Sequence, residues 1–230
     1  MSIPLAFLGD LPDPSKGISL GDQLAAEVTD SGRVSSLLDC LCSTDAPALW
    51  STDPSRPPLS HAALRRFVAA FALPTSGLHE CLGPNDRVMV VLPTSPENAV
   101  ALLAVSTYYT CAPVNSSCTA GELKEDAARL RAKAIFTTPD ATDRLELRTL
   151  REELRCEVIF LHALADGPPG LFTMSIMREG DGAEDWSVVQ SPVRQPSRPH
   201  RLSDQSLVLH TSGTSGKKKA SRFLYEPKYL

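Results

Sequence analysis

A short segment near the carboxyl end of the chain carries the residue types best suited to chemistry. Residues 211–219 read Thr-Ser-Gly-Thr-Ser-Gly-Lys-Lys-Lys and directly follow residues 206–210, Ser-Leu-Val-Leu-His, which are predicted to form a strand. Glycines at 213 and 216 allow a ligand to approach the backbone closely, and the hydroxyl groups and backbone N–H groups offer hydrogen-bond donors. The lysines add positive charge. Together these features predict a loop that binds a polyphosphate.

The spacing excludes one familiar phosphate-binding motif. Only two residues separate Gly213 from Gly216, whereas a Walker A loop needs four residues between its first glycine and its Gly-Lys pair. The residues alone leave a second interpretation open, a solvated Gly/Ser hairpin followed by a basic stretch. His210, just before the loop, is expected to help its strand pack rather than to contact a ligand.

Hydrophobic patterning predicts the strands and helices that precede this loop. Residues 87–92 form a near-continuous apolar run, as expected for a buried parallel strand. Ser95, Pro96 and Glu97 then form a typical helix entrance, and the helix is predicted to reach about Tyr109. Further strands are predicted at 111–115, 134–137 and 157–161. Helices are predicted from the Thr119 capping box to 131 and over 143–154. This alternation predicts an α/β fold of βαβ units with a mostly parallel sheet.

The remaining chain is divided as follows. Residues 1–30 are expected to be a loose leader, and residues 31–162 the α/β region, with a short helix near 34–41 and a short strand at 48–51. Ser60 is predicted to cap an amphipathic helix over 61–73. Residues 163–204, rich in proline and glycine, are expected to be a loop or linker. A strand and the phosphate-binding loop are expected over residues 205–219. Residues 220–230 are expected to form an atypical tail.

Composition excludes several classes of protein. The 230 residues are 42% hydrophobic and 22% charged, which is ordinary for a globular protein. A formal net charge of -4 argues against nucleic acid as a partner.

We find no signal peptide and no apolar run long enough to span a membrane. Six scattered cysteines predict free thiols in a reducing compartment, so a cytoplasmic location is expected. The five histidines lack metal-ligand spacing, and Trp50 and Trp186 are expected to pack.

The loop resembles the phosphate-binding signature of the adenylate-forming superfamily, which includes AMP-dependent synthetases and acyl-CoA synthetases. The residues that match this signature in order are Thr211, Ser212, Gly213, Thr214, Ser215 and Gly216, with Lys219 at the lysine of the motif. The sequence departs from the signature at two positions. Lys218 occupies the place of a usual proline, and Ala220 that of a usual glycine.

A second segment is similar to the same superfamily. Residues 86–97, Asp-Arg-Val-Met-Val-Val-Leu-Pro-Thr-Ser-Pro-Glu, resemble its strand-turn-helix motif. Weaker similarities at 58–64, 112–123 and 133–135 occur in the order of the family. The resemblance covers roughly residues 33–219 and implies an incomplete N-terminal subdomain of an adenylate-forming ligase. Two motifs in register disfavour an unrelated α/β phosphate-binding protein.

The resemblance implies an activity as well as a fold. Members of the superfamily join ATP, with Mg²⁺, to a carboxylic acid to give an acyl-adenylate and pyrophosphate, and a thiol of CoA or of a phosphopantetheine carrier protein then takes the acyl group. Thr211 to Gly216 and Lys219 would hold the ATP phosphates. The ribose-binding and catalytic motifs of the family do not occur in the 230 residues, so no catalytic residue is assigned and the fragment is expected to be inactive by itself. A non-catalytic nucleotide-binding or regulatory truncated paralogue is the alternative.

Overall fold

The computed structural model describes residues 36–178, 198–201, 204–211 and 219–224. The leader expected at 1–30 lies outside these residues, as does Trp186. The described helices are α1 (His61–Ala69), α2 (Pro96–Tyr108), α3 (Ala120–Leu130) and α4 (Leu147–Leu154), with short 3₁₀ turns at Leu37–Cys40 and Pro139–Ala141. The strands are β1 (Pro47–Leu49), β2 (Leu59–Ser60), β3 (Arg87–Val90), β4 (Thr110–Pro113), β5 (Ala134–Thr137), β6 (Glu157–Ala163), β7 (Phe172–Ile176), β8 (Gln205–Thr211) and β9 (Lys219–Leu224).

Seven of these strands form one sheet in the order β7-β6-β5-β3-β4-β8-β9. Five neighbouring strands, from β6 to β8 in this order, run parallel, and β7 and β9 pair antiparallel at the two edges. Strands β1 and β2 form a separate antiparallel pair. The prediction of an α/β fold with a mostly parallel sheet is therefore confirmed.

Helices cover both faces of this sheet, which explains why its central strand β3 is apolar from residue 88 onward. Val88 and Val90 of β3 belong to the cluster of buried residues formed with α1 and α2. Met89 and Val91 point the other way and belong to the cluster formed with α3 and α4. Because successive side chains of a strand alternate between faces, burial of both faces of β3 explains why residues 88–90 are all apolar.

The helix starts predicted from capping residues are confirmed. Ser95 Oγ accepts a hydrogen bond from the backbone N of Asn98 at 3.1 Å, at the start of α2. Thr119 and Glu122 form the reciprocal capping box of α3, with N–O distances of 2.9 and 3.2 Å. Ser60 caps α1 in the same way. Each of these contacts satisfies backbone donors that the first turn of a helix leaves unpaired.

The segment 163–204 is not a continuous loop, because its residues Phe172–Ile176 form β7 and pair with β6 in a hairpin. Its patterning explains the correction. Phe172 and Ile176 are buried while Thr173 is exposed, and the Phe172 ring lies 4.9 Å from that of Phe67 and 5.8 Å from that of Phe136. Pro168, Pro169 and Gly170, three of the residues that suggested a linker, lie in the connection between β6 and β7.

Several predicted boundaries also shift. The helix expected over 143–154 begins at Leu147, because Glu146 has a positive φ of 49° that α-helical backbone does not allow. The helix expected over 61–73 ends at Ala69. The boundary placed between 219 and 220 falls inside β9, so residues 220–224 belong to the sheet. Trp50 was expected to pack, but it is 67% exposed.

The six cysteines are all free, as predicted. Cys111, Cys118 and Cys156 are buried, whereas Cys40 and Cys81 are exposed. Burial raises the pKa of the Cys111 and Cys156 thiols to about 12. These two side chains therefore stay protonated at neutral pH and serve as small apolar residues of the core.

Candidate functional site

The predicted phosphate-binding segment is attached to the carboxyl edge of the parallel sheet. Strands β3, β4, β5, β6 and β8 all end at this edge. In open α/β sheets, ligands bind outside the carboxyl ends of the strands, where the connections can offer backbone N–H groups and side chains. The structure therefore places the end of β8 where a ligand site of such a sheet is expected.

The structure describes the two ends of the motif. Thr211 is the last residue of β8 and Lys219 the first residue of β9, and the two are paired across the antiparallel strands. Ser212, Gly213, Thr214, Ser215 and Gly216 lie outside the described residues. Their roles, and those of the Thr211, Lys219 and His210 side chains, remain predictions. The pairing brings the first and last residues of the motif onto adjacent strands.

Next to β8, strand β4 leads into a turn that the sequence did not mark. We call residues 115–118 the β4 turn. Asn115 O accepts a hydrogen bond from Cys118 N at 3.0 Å, and Asn115 Oδ1 accepts one from Ser117 N at 2.9 Å. From the connection between β5 and α4, the Arg144 guanidinium donates to Ser116 O and to Cys118 O, each at 2.8 Å. Arg144 therefore links two connections at the carboxyl edge.

Another buried contact holds the same edge at the start of α2. Glu97, predicted as an acidic residue near the helix N-terminus, is buried and accepts a hydrogen bond from Gly170 N at 3.0 Å. The Arg56 guanidinium lies 3.8 Å from the Glu97 carboxylate and donates to Gly167 O at 2.9 Å and to Leu164 O at 3.1 Å. Glu97 and Arg56 together fasten the connection between β6 and β7 to α2.

A buried histidine lies in the segment before β8. His200 N donates to Thr107 O at 2.8 Å, while its ring Nε2 and Nδ1 lie 2.7 Å from Pro84 O and 3.1 Å from Ser106 O. Burial lowers the pKa of His200, although the two carbonyls and Asp204 oppose that effect. Because a neutral imidazole carries one N–H, it donates to one of these carbonyls. His200 thus connects the segment before β8 to the end of α2.

Sequence reasoning missed Arg144, Arg56 and His200 for the same reason. Their partners are backbone carbonyls far away in the chain, and no local spacing identifies such a contact.

Within residues 36–178, 198–201, 204–211 and 219–224, no three His, Cys, Asp or Glu side chains are close enough to hold a metal ion.

No helix in the described part of the chain is both long enough and apolar enough to cross a membrane.

The comparisons with known proteins agree with this architecture. The sequence model of the AMP-binding enzyme family matches residues 42–221. A probable CoA ligase, CCL9, from Humulus lupulus is 30% identical over 164 residues, which are 70% of this chain and 28% of that protein. The chain belongs to the AMP-binding enzyme family.

Solved structures share the fold. MatB from Rhodopseudomonas palustris, in its apo form, has a TM-score of 0.58 at 20% identity, covering 82% of this chain and 34% of MatB. Its ATP-bound form has a TM-score of 0.52 at 19% identity, covering 84% and 35%. The N-terminal subdomain of Klebsiella oxytoca NpsA, in complex with 3-hydroxybenzoyl-AMSN, has a TM-score of 0.52 at 18% identity, covering 84% and 42%. The chain therefore spans 28% of the length of the curated relative and about a third of the length of MatB.

Proposed function

We propose that these residues form the N-terminal part of an ATP-dependent ligase that activates a carboxylic acid. In that reaction a carboxylate oxygen attacks the α-phosphorus of ATP, the bond to the bridging oxygen breaks, and pyrophosphate leaves as the acyl-adenylate forms. A thiol of CoA or of a phosphopantetheine carrier protein then attacks the acyl carbon, and AMP leaves. One observation carries the proposal: the family match extends to residue 221 and so includes the whole phosphate-binding motif.

In this proposal the motif holds the β- and γ-phosphates. Backbone N–H groups and hydroxyls of residues 211–216 donate hydrogen bonds to phosphate oxygens, and Lys219 neutralises charge that develops on the leaving pyrophosphate. The position of Thr211 and Lys219 on paired strands supports this assignment, because donors and cation then act on one ligand. The ATP-bound MatB structure supports ATP as the nucleotide.

We propose that Mg²⁺ binds together with the nucleotide. The described residues build no cluster of carboxylate, imidazole or thiol ligands that would hold the ion by themselves. Hard divalent cations of this kind are commonly bound through substrate phosphates and one or two carboxylates. When bound, Mg²⁺ would neutralise phosphate charge, and no residue described here is assigned to it.

Replacing Lys219 with alanine tests the binding proposal. We expect the dissociation constant for MgATP, measured by isothermal titration calorimetry, to rise about tenfold or more, because a charge-assisted contact to phosphate is lost. Lys133→Ala is the matched control. Lys133 is exposed and lies at the amino end of β5, where its backbone bonds to β3 and β6. Equal affinities for both variants and the wild type would exclude Lys219 from the site.

A second experiment addresses turnover. We expect the 230-residue chain to release no pyrophosphate when it is incubated with MgATP and a panel of carboxylic acids, because acyl-adenylate formation requires groups from several segments held together. The family motifs for ribose binding and catalysis do not occur in these residues. Acid-dependent pyrophosphate release above a Lys219→Ala background would contradict this expectation.

A further inference from the structure

The Arg144 side chain joins two connections at the carboxyl edge of the sheet. Arg144 lies on the connection from β5 to α4, and both of its hydrogen bonds go to carbonyls on the connection from β4 to α3. In the sheet order, β3 lies between β5 and β4. The guanidinium therefore bridges the carboxyl edge from one side of β3 to the other.

Packing and hydrogen bonds hold the backbone around Arg144 in place. Leu145, the next residue, is fully buried and its N donates to Ala141 O at 3.0 Å. Thr142 Oγ1 donates to Pro139 O at 2.7 Å, so the connection is folded tightly before Arg144. Arg144 itself is exposed. Its backbone is thus held in place while its side chain reaches over the edge.

The β4 turn that Arg144 holds lies next to the end of β8. Cys111 of β4 is paired with Leu207 of β8 in parallel register. Both strands advance by about 3.3 Å per residue, so four residues later Asn115 is level with Thr211. Val114 N donates to Val90 O at 2.9 Å, which shows that β4 stays in line with the sheet up to the turn. The turn therefore flanks the place where β8 delivers the motif.

We propose that Arg144 is a positioning residue for nucleotide binding: by holding the carbonyls of Ser116 and Cys118, it fixes the β4 turn as the wall beside the end of β8. The inference rests on the proposed function, since it assigns Arg144 to the same edge of the sheet. Arg144 does not contact the phosphates. It acts through the turn, because both of its outer nitrogens are directed to backbone carbonyls.

The experiment measures binding of MgATP and of inorganic pyrophosphate to the full 230-residue chain by calorimetry. We expect Arg144→Ala to raise both dissociation constants about fivefold to tenfold. Arg144→Lys should show the same rise, because an ammonium group keeps the charge but cannot bridge two carbonyls as a planar fork does. Millimolar methylguanidinium should restore affinity to Arg144→Ala.

Arg65 provides a matched control. Its Nη1 donates to Leu38 O at 3.0 Å and to Leu41 O at 2.6 Å, so it also holds a turn through two carbonyls. Both leucines pack with α1 and α2, on the face of the sheet opposite α3 and α4. We expect Arg65→Ala to bind both ligands within about twofold of the wild type. Asn115→Ala, which removes the hydrogen bond from Ser117 N to the Asn115 side chain within the β4 turn, should weaken binding as Arg144→Ala does.

The outcomes separate the inference from the proposed function. Wild-type affinity in Arg144→Ala and Asn115→Ala would overturn the positioning role while leaving the proposed function in place. Wild-type affinity in Arg144→Lys alone would assign the effect to charge and would also overturn it. If the wild-type chain binds neither ligand, both proposals fail. Faster hydrogen exchange at Ser117 and Cys118 N–H in Arg144→Ala, with weaker binding, supports the inference.

Discussion

Replacing Gly170 with alanine should lower the free energy of unfolding by about 3 kcal/mol. Gly170 has a φ of +90°, which residues with a Cβ rarely adopt. A Cβ at this position would lie 2.7 Å from Val100 Cγ2 and 3.0 Å from Leu49 Cδ1. Val100 is buried on α2 and its β-branched side chain is stiff, so it cannot turn away. Strain and overpacking therefore add.

The same substitution would also move the backbone of Gly170 away from Glu97. Gly170 N donates to the buried Glu97 carboxylate, and shifting it leaves a buried acceptor with poorer pairing. Urea denaturation followed by circular dichroism measures the effect. Because Gly170 lies in the connection between β6 and β7, we expect β7 to lose protection from hydrogen exchange first.

Two other glycines serve as controls for this prediction. Gly77 has a φ of +105°, but a Cβ added there would meet no atom within 4 Å, so Gly77→Ala isolates the backbone strain at about 1 kcal/mol. Gly121 lies in the first turn of α3 in open space, and Gly121→Ala should stabilise slightly, by up to about 0.5 kcal/mol. A cost for Gly170→Ala no larger than that for Gly77→Ala would show that the crowding at Val100 is relieved.

Replacing Glu157 with alanine should cost about 3 kcal/mol of stability. Glu157 is the first residue of β6 and is fully buried. Its carboxylate accepts hydrogen bonds from Ser76 N at 3.0 Å, Ser76 Oγ at 2.6 Å and His79 N at 3.3 Å, and Arg151 donates to the same serine hydroxyl at 3.1 Å. Removing the acceptor leaves the backbone N–H groups of Ser76 and His79 without this partner.

A graded series separates charge from hydrogen bonding at this position. Glu157→Gln keeps one acceptor oxygen and should cost about 1 kcal/mol, less than Glu157→Ala. Glu153→Gln is the surface control. Glu153 pairs with Lys124 between α4 and α3, but both side chains are about half exposed, so its loss should change stability by less than about 0.5 kcal/mol. Equal effects for the Glu157 and Glu153 variants in denaturation experiments would contradict a structural role for the buried carboxylate.

Local patterns predicted the fold class because the interactions behind them are themselves local. The caps at Ser60, Ser95 and Thr119 join residues three positions apart, so they can be read directly from the sequence. The apolar run from Val88 to Leu92 predicted a strand buried on both faces, since such a strand has no polar side. Family membership was predicted from two motifs and is confirmed.

Strand β7 was not predicted, because local sequence patterns do not indicate it. Phe172–Ile176 follows prolines and glycine that are typical of loops, and its stability comes from pairing with β6 and from the aromatic rings of Phe67 and Phe136. The exposure of Trp50 could not be predicted either, because an aromatic residue is buried only if the fold brings another surface against it.

Local patterns were enough to predict the alternation of strands and helices, the helix starts, the family and the segment proposed to bind phosphate. The surroundings of that segment depend on how the chain folds. Arg144 meets its carbonyls across 26 and 28 residues, Glu97 meets Gly170 across 73, and Glu157 meets Ser76 across 81. The reason is the separation of the residues along the sequence. Caps and hydrophobic periodicity involve residues a few positions apart, whereas these contacts form only after sheet register has brought distant connections together.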